Sequence, residues 1–216
     1  MKHLLPITFI LSVLTCCNAF AQEWHFGPTA SYVNTSMKLK SDSVDVTYRN
    51  MSGFQVGCFV EYEIREYIGI QSGILFTMSG YQAEEGVVYK QQAYAIAKEK
   101  TRLFNLMFPV IIEGKIPLGD FSINLEAGPQ FYAGLTGHTT IKTRNGEEFN
   151  YSDIYNETLD RFNCDIHFGL GFQYVGARLI FGYNLGVYNV LDKDSFNKSK
   201  ESAKLSGFVV SFAYMF

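Results

Sequence analysis

The sequence predicts an all-β fold, an eight-stranded antiparallel up-and-down transmembrane β-barrel. Eight segments of the chain place apolar residues at every second position, which is the period of a strand with one apolar face. The polar connections between these segments alternate between long and short, as they do in barrels that cross a membrane. The two patterns together indicate strands that close into a ring around a polar interior.

The N terminus has the layout of a secretory signal peptide. Lys2 supplies a positive charge, residues 4–14 form an apolar run, and Ala19-Phe20-Ala21 is a small-x-small cleavage site, the three features that define such a peptide. The apolar run is too short to span a bilayer as a helix. We expect cleavage after Ala21, so that 1–21 is removed and 22–216 forms the barrel domain.

The four cysteines do not indicate a disulfide framework. Lipid attachment at Cys16 or Cys17 is an alternative to cleavage after Ala21, but Thr15 and Cys16 are unfavourable residues in front of a lipidated cysteine. Cys58 and Cys164 both lie within alternating segments, which favours small hydrophobic side chains over a disulfide bridge.

The eight alternating segments differ in regularity. Three are the clearest, residues 54–64, 121–135 and 162–174, and five weaker ones are residues 24–39, 68–81, 103–115, 177–191 and 203–216. The connections near 40–51, 82–101, 141–161 and 192–201 are long, and those near 65–67, 116–120 and 175–176 are short. Short turns of outer-membrane barrels face the periplasm. The even number of segments therefore predicts a protein of the cell outer membrane with both termini periplasmic.

The polar face of the segments is predicted to point inward. A soluble barrel of lipocalin type would enclose an apolar cavity, and the charged residues of the polar face would make such a cavity unfavourable. A narrow polar lumen accepts these residues. The predicted polar network of the lumen consists of Glu61, Glu63, Glu113, Lys115, Glu126, Asp165, His167 and Arg178.

Strand direction places six of these charges in the periplasmic half of the barrel: Glu61, Glu63, Glu113, Lys115, Glu126 and Arg178. Unpaired charge is costly in a space filled by side chains. We therefore expect Arg178 and Lys115 to bridge the glutamates and to plug the lumen. The alternative is a wet lumen whose charges pair loosely.

Aromatic residues gather at both ends of the predicted strands. The periplasmic set is Trp24, Phe26, Tyr62, Phe121, Tyr174, Tyr214 and Phe216, and the outer set is Tyr32, Phe54, Phe76, Phe104, Phe131, Phe162 and Phe208. Two such girdles are typical of the two interfaces of a membrane. The alternative is that these rings form the core of a β-sandwich.

Three prolines argue against a regular ladder. Pro28, Pro109 and Pro129 lie inside predicted strands, where each removes one ladder hydrogen bond, and a closed barrel has no free edge for them. We expect bulges or a locally irregular ladder at these positions.

The C-terminal segment resembles the signal that the barrel-assembly machinery reads in outer-membrane proteins. Aromatic and aliphatic residues alternate up to the last position of the chain, at Phe208, Val210, Phe212, Tyr214 and Phe216. A closing strand by itself predicts the alternation but not the terminal phenylalanine. The resemblance implies the assembly machinery as a partner during biogenesis.

The chain also resembles the PorT-like outer-membrane β-barrel proteins. The resemblance is carried by FNLMFPVIIEGK at 104–115, by INLEAGPQFYAGL at 123–135 and by the pair FGLGFQY and FGYNLGVYNVLD within 165–191. It implies a barrel in contact with outer-membrane lipid and, for some members, a part in the type IX secretion system. It implies no catalytic residue.

Composition and motifs exclude several functions. The formal net charge of −3 offers no basic surface for nucleic acid;. No CxxC or HExxH motif indicates a metal or cofactor site;. His138, the one histidine predicted at the outer rim, has only Thr139 and Thr140 beside it, so we predict that the protein is not an enzyme.

Two functions remain open from the sequence. The first is a structural, binding or secretion-accessory role through the loops at 82–101 and 141–161, in which Tyr89, Tyr94, Phe149, Tyr151 and Tyr155 suit contacts with an extracellular or secretion-system partner. Solvated loops without a partner are the alternative for these segments. The second function is a small porin, which is disfavoured because eight strands leave an interior just wide enough for side chains.

Overall fold

The computed structural model describes residues 24–40, 45–84, 96–143, 145–152, 154–155, 159–191 and 202–216. The predicted signal peptide lies outside these residues, as do 85–95 and 192–201 of the predicted loops. The regular structure of the described residues is entirely β. Among them, no helix has the length and hydrophobicity needed to cross a membrane.

Ten strands follow one another along the described chain. They are β1 (Trp24–Lys40), β2 (Asp45–Thr47), β3 (Arg49–Arg65), β4 (Ile68–Glu84), β5 (Ile96–Leu118), β6 (Phe121–Thr143), β7 (Glu148–Ser152), β8 (Phe162–Tyr174), β9 (Ala177–Gly186) and β10 (Ser202–Tyr214). Each of the eight predicted segments overlaps one of the eight longer strands.

Eight of the strands form a closed antiparallel ring in the order β1-β3-β4-β5-β6-β8-β9-β10. The ring closes where β10 pairs with β1, from Thr29 opposite Ala213 to Lys40 opposite Ser202. β2 adds to β1, and β7 adds to β6. The predicted fold class, an eight-stranded up-and-down barrel, is confirmed.

The seam between the first and last strands continues past the paired residues. The backbone N–H of Phe216 donates to the carbonyl of Phe26 over 2.9 Å. On the other side of the C-terminal segment, the N–H of Met215 donates to the carbonyl of Gly176, in the turn before β9, over 2.8 Å. Gly27 lies so close to β10 that a Cβ atom there would stand 1.6 Å from the carbonyl oxygen of Tyr214. The chain closes because a glycine occupies this position.

The strands run through the three prolines without a break. Pro109 lies opposite Gln130, and the pairing of β5 with β6 resumes only at Ile112 opposite Ala127. On the other side of β5, the pairing with β4 also skips Pro109, and there the hydroxyl of Ser72 donates to the carbonyl of Pro109 over 2.9 Å. The prediction of a locally irregular ladder is therefore correct at Pro109.

The outer surface of the ring is apolar. Exposed side chains on alternating positions include Ile74, Ile112, Leu125, Phe172 and Phe212, while their neighbours in sequence point inward. We call the end with the connections 66–67, 119–120 and 175–176 the turn end, and the opposite end the loop end. Aromatic rings touch one another at both ends, as Trp24–Tyr62 and Phe121–Tyr174 at the turn end and as Phe76–Phe104 and Phe131–Phe162 at the loop end.

The sequence-based boundaries of four strands were wrong. β4, β5 and β6 extend into the segments predicted as the long loops 82–101 and 141–161, because their inward positions there stay buried. β9 ends at Gly186 although a strand was predicted to 191. The chain turns inward after it and buries Val190 and Leu191.

We predict that Phe216→Asp lowers the amount of assembled barrel in the outer membrane by on the order of fivefold or more. Phe216 is outward-facing and its ring lies 5.9 Å from that of Phe26 across the seam. A charge near a membrane interface by itself costs only about 1 kcal/mol, so a large loss would reflect failed assembly. The measurement is the band that shifts on boiling in gel electrophoresis of the membrane fraction.

The matched control is Phe149→Asp, which places the same charge on an exposed aromatic of β7, outside the ring. Equal amounts of both variants in the membrane would contradict the prediction.

Candidate functional site

The barrel interior at the turn end is organised around Arg178. Arg178 lies on an inward position of β9 and its side chain is completely buried. Its guanidinium donates to Glu61 over 2.8 Å and to Glu113 over 3.0 Å, and it lies 3.7 Å from Glu126. One cation is thus shared by three carboxylates, a geometry that suits the planar fork of arginine.

Lys115 extends this network toward the mouth at the turn end. Its ammonium contacts both Glu61 and Glu63. Glu63 is half-buried, and its second oxygen lies 3.5 Å from Nε2 of His25. The line of charge therefore runs from the buried Arg178 to the rim of the barrel.

Strand register explains why these charges meet. Glu113 of β5 lies directly opposite Glu126 of β6, and like charges in such cross-strand pairs are destabilising. Arg178 reaches both residues through the lumen from β9, which β8 separates from β6. The cation is needed to hold the two strands with their glutamates facing each other.

A second layer lies above the ion pairs. Nδ1 of His167 is 2.7 Å from the side-chain oxygen of Asn184, and its Nε2 is 3.5 Å from Glu126. Gly182 makes room for the imidazole, since a Cβ atom there would lie 2.4 Å from the ring. His167 therefore joins the network through Glu126.

Asp165 belongs to a separate group nearer the loop end. The hydroxyl of Tyr132 is 2.8 Å from Asp165 and 2.9 Å from the side-chain oxygen of Gln130. Among the described residues, Asp165 has no lysine or arginine within ion-pair distance. The structure thus brings Glu61, Glu63, Glu113, Lys115, Glu126 and Arg178 together, attaches His167 to them and leaves Asp165 apart.

An apolar cluster closes the lumen at the loop end. We call it the loop-end cluster. It consists of Met37, Tyr48, Tyr81, Ala83, Leu103, Ile154, Tyr155, Leu159, Val190, Leu191, Ala203 and Leu205. Five of these residues come from connections rather than from strands of the ring: Ile154, Tyr155, Leu159, Val190 and Leu191. Leu159 bridges to Leu191. Apolar side chains of the connections therefore cover the polar interior.

Tyr155 is the central residue of the cover. Its hydroxyl donates to the side-chain oxygen of Asn105, and Arg161 lies 5.8 Å from the centre of its ring. A Cβ atom at Gly134 would lie 2.6 Å from that ring, so the glycine permits the contact. The prediction that Tyr155 is available to a partner was wrong, because only 4% of the residue is exposed.

Sequence reasoning missed the loop-end cluster as a whole. The available signal was the presence of Ile154, Leu159, Val190 and Leu191 in otherwise polar connections. Between the two covers, the lumen holds two cavities of about 40 and 50 Å³, which have room for no more than a few water molecules. Within the described part of the chain, no three His, Cys, Asp or Glu side chains are placed to hold a metal ion.

Residues 20–200 match a family model described as outer membrane protein beta-barrel domain. No curated protein matches the chain. The match covers most of the sequence and agrees with the closed ring and its apolar outer surface.

Solved structures of outer-membrane barrels are similar to this fold. OprG from Pseudomonas aeruginosa matches with 12% identity over 90% of this chain and 95% of its own, at a TM-score of 0.53. Neisserial surface protein A matches with 12% identity over 88% and 97%, at a TM-score of 0.44. Ail of Yersinia pestis, solved in complex with the heparin analogue sucrose octasulfate, matches with 15% identity over 90% and 100%, at a TM-score of 0.38. At these identities only the OprG likeness supports the fold, and none supports a function.

We predict that Arg178→Ala lowers the free energy of unfolding by about 3–5 kcal/mol, because three glutamates would lose their shared cation in a buried site. Arg178→Met combined with Glu61→Gln and Glu113→Gln should recover much of this loss, since it also removes two of the charges. The measurement is denaturant unfolding of the barrel in detergent micelles.

The control is Arg65→Ala at the turn end, where the arginine is exposed and a change within about 0.5 kcal/mol is expected. Equal stabilities of Arg178→Ala and the wild type would show that the interior is hydrated and the charges loosely paired.

Proposed function

Because the chain belongs to the outer membrane protein beta-barrel domain family, we propose that it is a closed, non-enzymatic barrel of the outer membrane. Its role is structural, binding or secretion-accessory, and it acts through its loop end. The observation that carries this proposal is that two layers of side chains, which we call the two covers, close the lumen. One is the set of ion pairs around Arg178 at the turn end, and the other is the loop-end cluster.

The double cover argues against transport. A solute would have to separate the Arg178 guanidinium from Glu61 and Glu113, whose side chains are completely buried. It would also have to displace Tyr155 from Asn105. Breaking a buried ion pair costs several kcal/mol, so passage requires a rearrangement of both covers.

We predict that the purified wild-type barrel in planar bilayers shows little or no steady conductance. Arg178→Ala combined with Tyr155→Ala removes the central side chain of each cover, and we expect measurable channel openings from this variant. Each single variant should stay closed, because the other cover remains.

A large, stable current from the wild type would favour the alternative function, a small porin for small solutes. Arg65→Ala with Tyr151→Ala is the matched control, since it changes the same residue types at exposed positions.

The loop end offers a surface for a partner. β7 pairs on one side with β6, and all five of its residues are exposed, including Phe149 and Tyr151. Exposed aromatic residues are enriched where proteins bind one another. We propose an extracellular or secretion-system partner for this surface. Tyr89 and Tyr94, which the sequence also suggested as contacts, lie outside the described residues.

The resemblance to PorT-like proteins supports the secretion-accessory form of this proposal. The Pro-containing strands at 104–115 and 123–135 that carry the resemblance are β5 and β6, the two longest strands of the ring. β7 pairs with β6 at residues 138–142, so a partner bound to β7 would lie next to the part of β6 that carries the resemblance.

We propose that the assembly machinery recognises the C-terminal alternation from Phe208 to Phe216. Phe208, Phe212, Tyr214 and Phe216 all face outward on β10 or directly after it. An outward aromatic row is accessible to another protein before the ring closes.

We further propose that 1–21 is a cleaved signal peptide, that both termini are periplasmic and that the loop end is extracellular.

The orientation is tested by cysteine labelling in a variant without the native cysteines of the barrel, Cys58→Ser with Cys164→Ser. A membrane-impermeant maleimide should label Ser152→Cys, at the loop end, on intact cells. It should label Asp120→Cys, in a turn, only after the outer membrane is permeabilised. The reverse pattern would contradict the orientation.

A further inference from the structure

Six cations lie on the outer surface of the barrel at the loop end, in two groups. Lys38 and Lys40 of β1 and Lys204 of β10 form one group, and Lys98, Lys100 and Arg102 of β5 form another. All six lie on outward positions, on the same faces as the lipid-facing aromatic residues of their strands. We call these six residues the basic belt.

Strand register brings like charges together in the belt. Lys38 lies directly opposite Lys204, and Lys98 lies directly opposite Lys142 of β6. Arg102 lies opposite His138. Like charges in direct cross-strand pairs are destabilising, so an anion would relieve the repulsion between Lys38 and Lys204.

The described residues supply little countercharge to four of these six cations. At this end of the described chain, Lys142 pairs with Glu148 over 2.9 Å, while Lys38, Lys100, Arg102 and Lys204 have no acidic side chain within ion-pair distance. Lys100 lies opposite Gln82 and Thr140. Lys40 and Lys98 differ from these four cations because each has an acidic residue at the register position opposite it. Asp45 lies opposite Lys40, and Glu84 lies opposite Lys98.

The belt lies at the level of lipid headgroups. Arg102 is two residues beyond Phe104, and Lys204 is four residues beyond Phe208, two aromatics of the loop-end girdle. Aromatic girdles mark the boundary between hydrocarbon and headgroups. The turn end has no matching belt among the described residues, since Arg65 is followed there by Glu66, and the next turn contains Asp120.

We propose that the basic belt binds the phosphate groups of anionic glycolipids in the outer leaflet. Lysine and arginine bind phosphate through charge-assisted hydrogen bonds, and each basic residue near an anionic membrane surface contributes about a fivefold gain in affinity. A lipid is favoured over a soluble polyanion because the cations continue the apolar lipid-facing surface. An acyl chain can therefore contact the barrel below the phosphate.

The test uses the full-length mature barrel purified in detergent. Two variants remove the unpaired cations, Lys38→Gln with Lys204→Gln and Lys100→Gln with Arg102→Gln. Lys142→Gln is the matched control, since its ammonium is already paired with Glu148. The probe is a purified phosphorylated bacterial glycolipid, compared with the same glycolipid after removal of its phosphates, and bound lipid is counted by native mass spectrometry.

We expect the wild type and Lys142→Gln to retain the phosphorylated lipid and each double variant to bind it at least about 10-fold more weakly. The dephosphorylated lipid should bind all variants equally and weakly. Binding in detergent does not depend on the orientation or conductance of the barrel. The absence of lipid binding would therefore not contradict the proposed function, and a conducting barrel would not contradict lipid binding.

Three results would overturn the inference. They are equal binding of the two lipids, unchanged binding by both double variants, and tighter binding of a soluble sulfated oligosaccharide than of the phosphorylated lipid. The last result would assign the belt to a soluble polyanion.

Discussion

The structure depends on the pairing of β1 with β10. In hydrocarbon every backbone N–H and C=O must find a partner within the protein, so a spanning sheet cannot keep an open edge. The twelve residue pairs between these strands remove both edges at once, and Gly27 permits the close approach at the turn end. Once the ring is closed, each side chain of the wall points either to lipid or into the lumen.

Closing the ring brings acidic side chains together in the lumen, and Arg178 compensates their charge. Inward positions of neighbouring strands bring Glu113 and Glu126 face to face, and water has little access to them. Burial of both carboxylates would be unfavourable without a cation. Arg178 supplies it from β9, so the charges that make the lumen polar also link strands that are not neighbours in the ring. In the function that we propose, the same contacts also block the passage of solutes.

The two ends of the barrel meet different surroundings and are built differently. At the turn end, strands are joined by connections of two residues and the lumen is filled by ion pairs. At the loop end, longer connections fold back and place Ile154, Tyr155 and Leu159 over the polar interior. The outer surface there changes from apolar to basic within a few residues. Location in the outer membrane gives a physical reason for this asymmetry, because its two faces differ in chemistry.

The sequence by itself determined the number of ring strands, their antiparallel order, the apolar outer face and the charges of the lumen. These properties follow from period-two alternation and from the lengths of connections, which are local. The tertiary structure decided which charges pair, that β9 stops at Gly186 and that Tyr155 is buried rather than available to a partner. Arg178 and Glu61 are 117 positions apart, and Tyr155 and Asn105 are 50 apart. Such contacts depend on strand stagger and on how connections fold back into the barrel, and neither leaves a local pattern in the sequence.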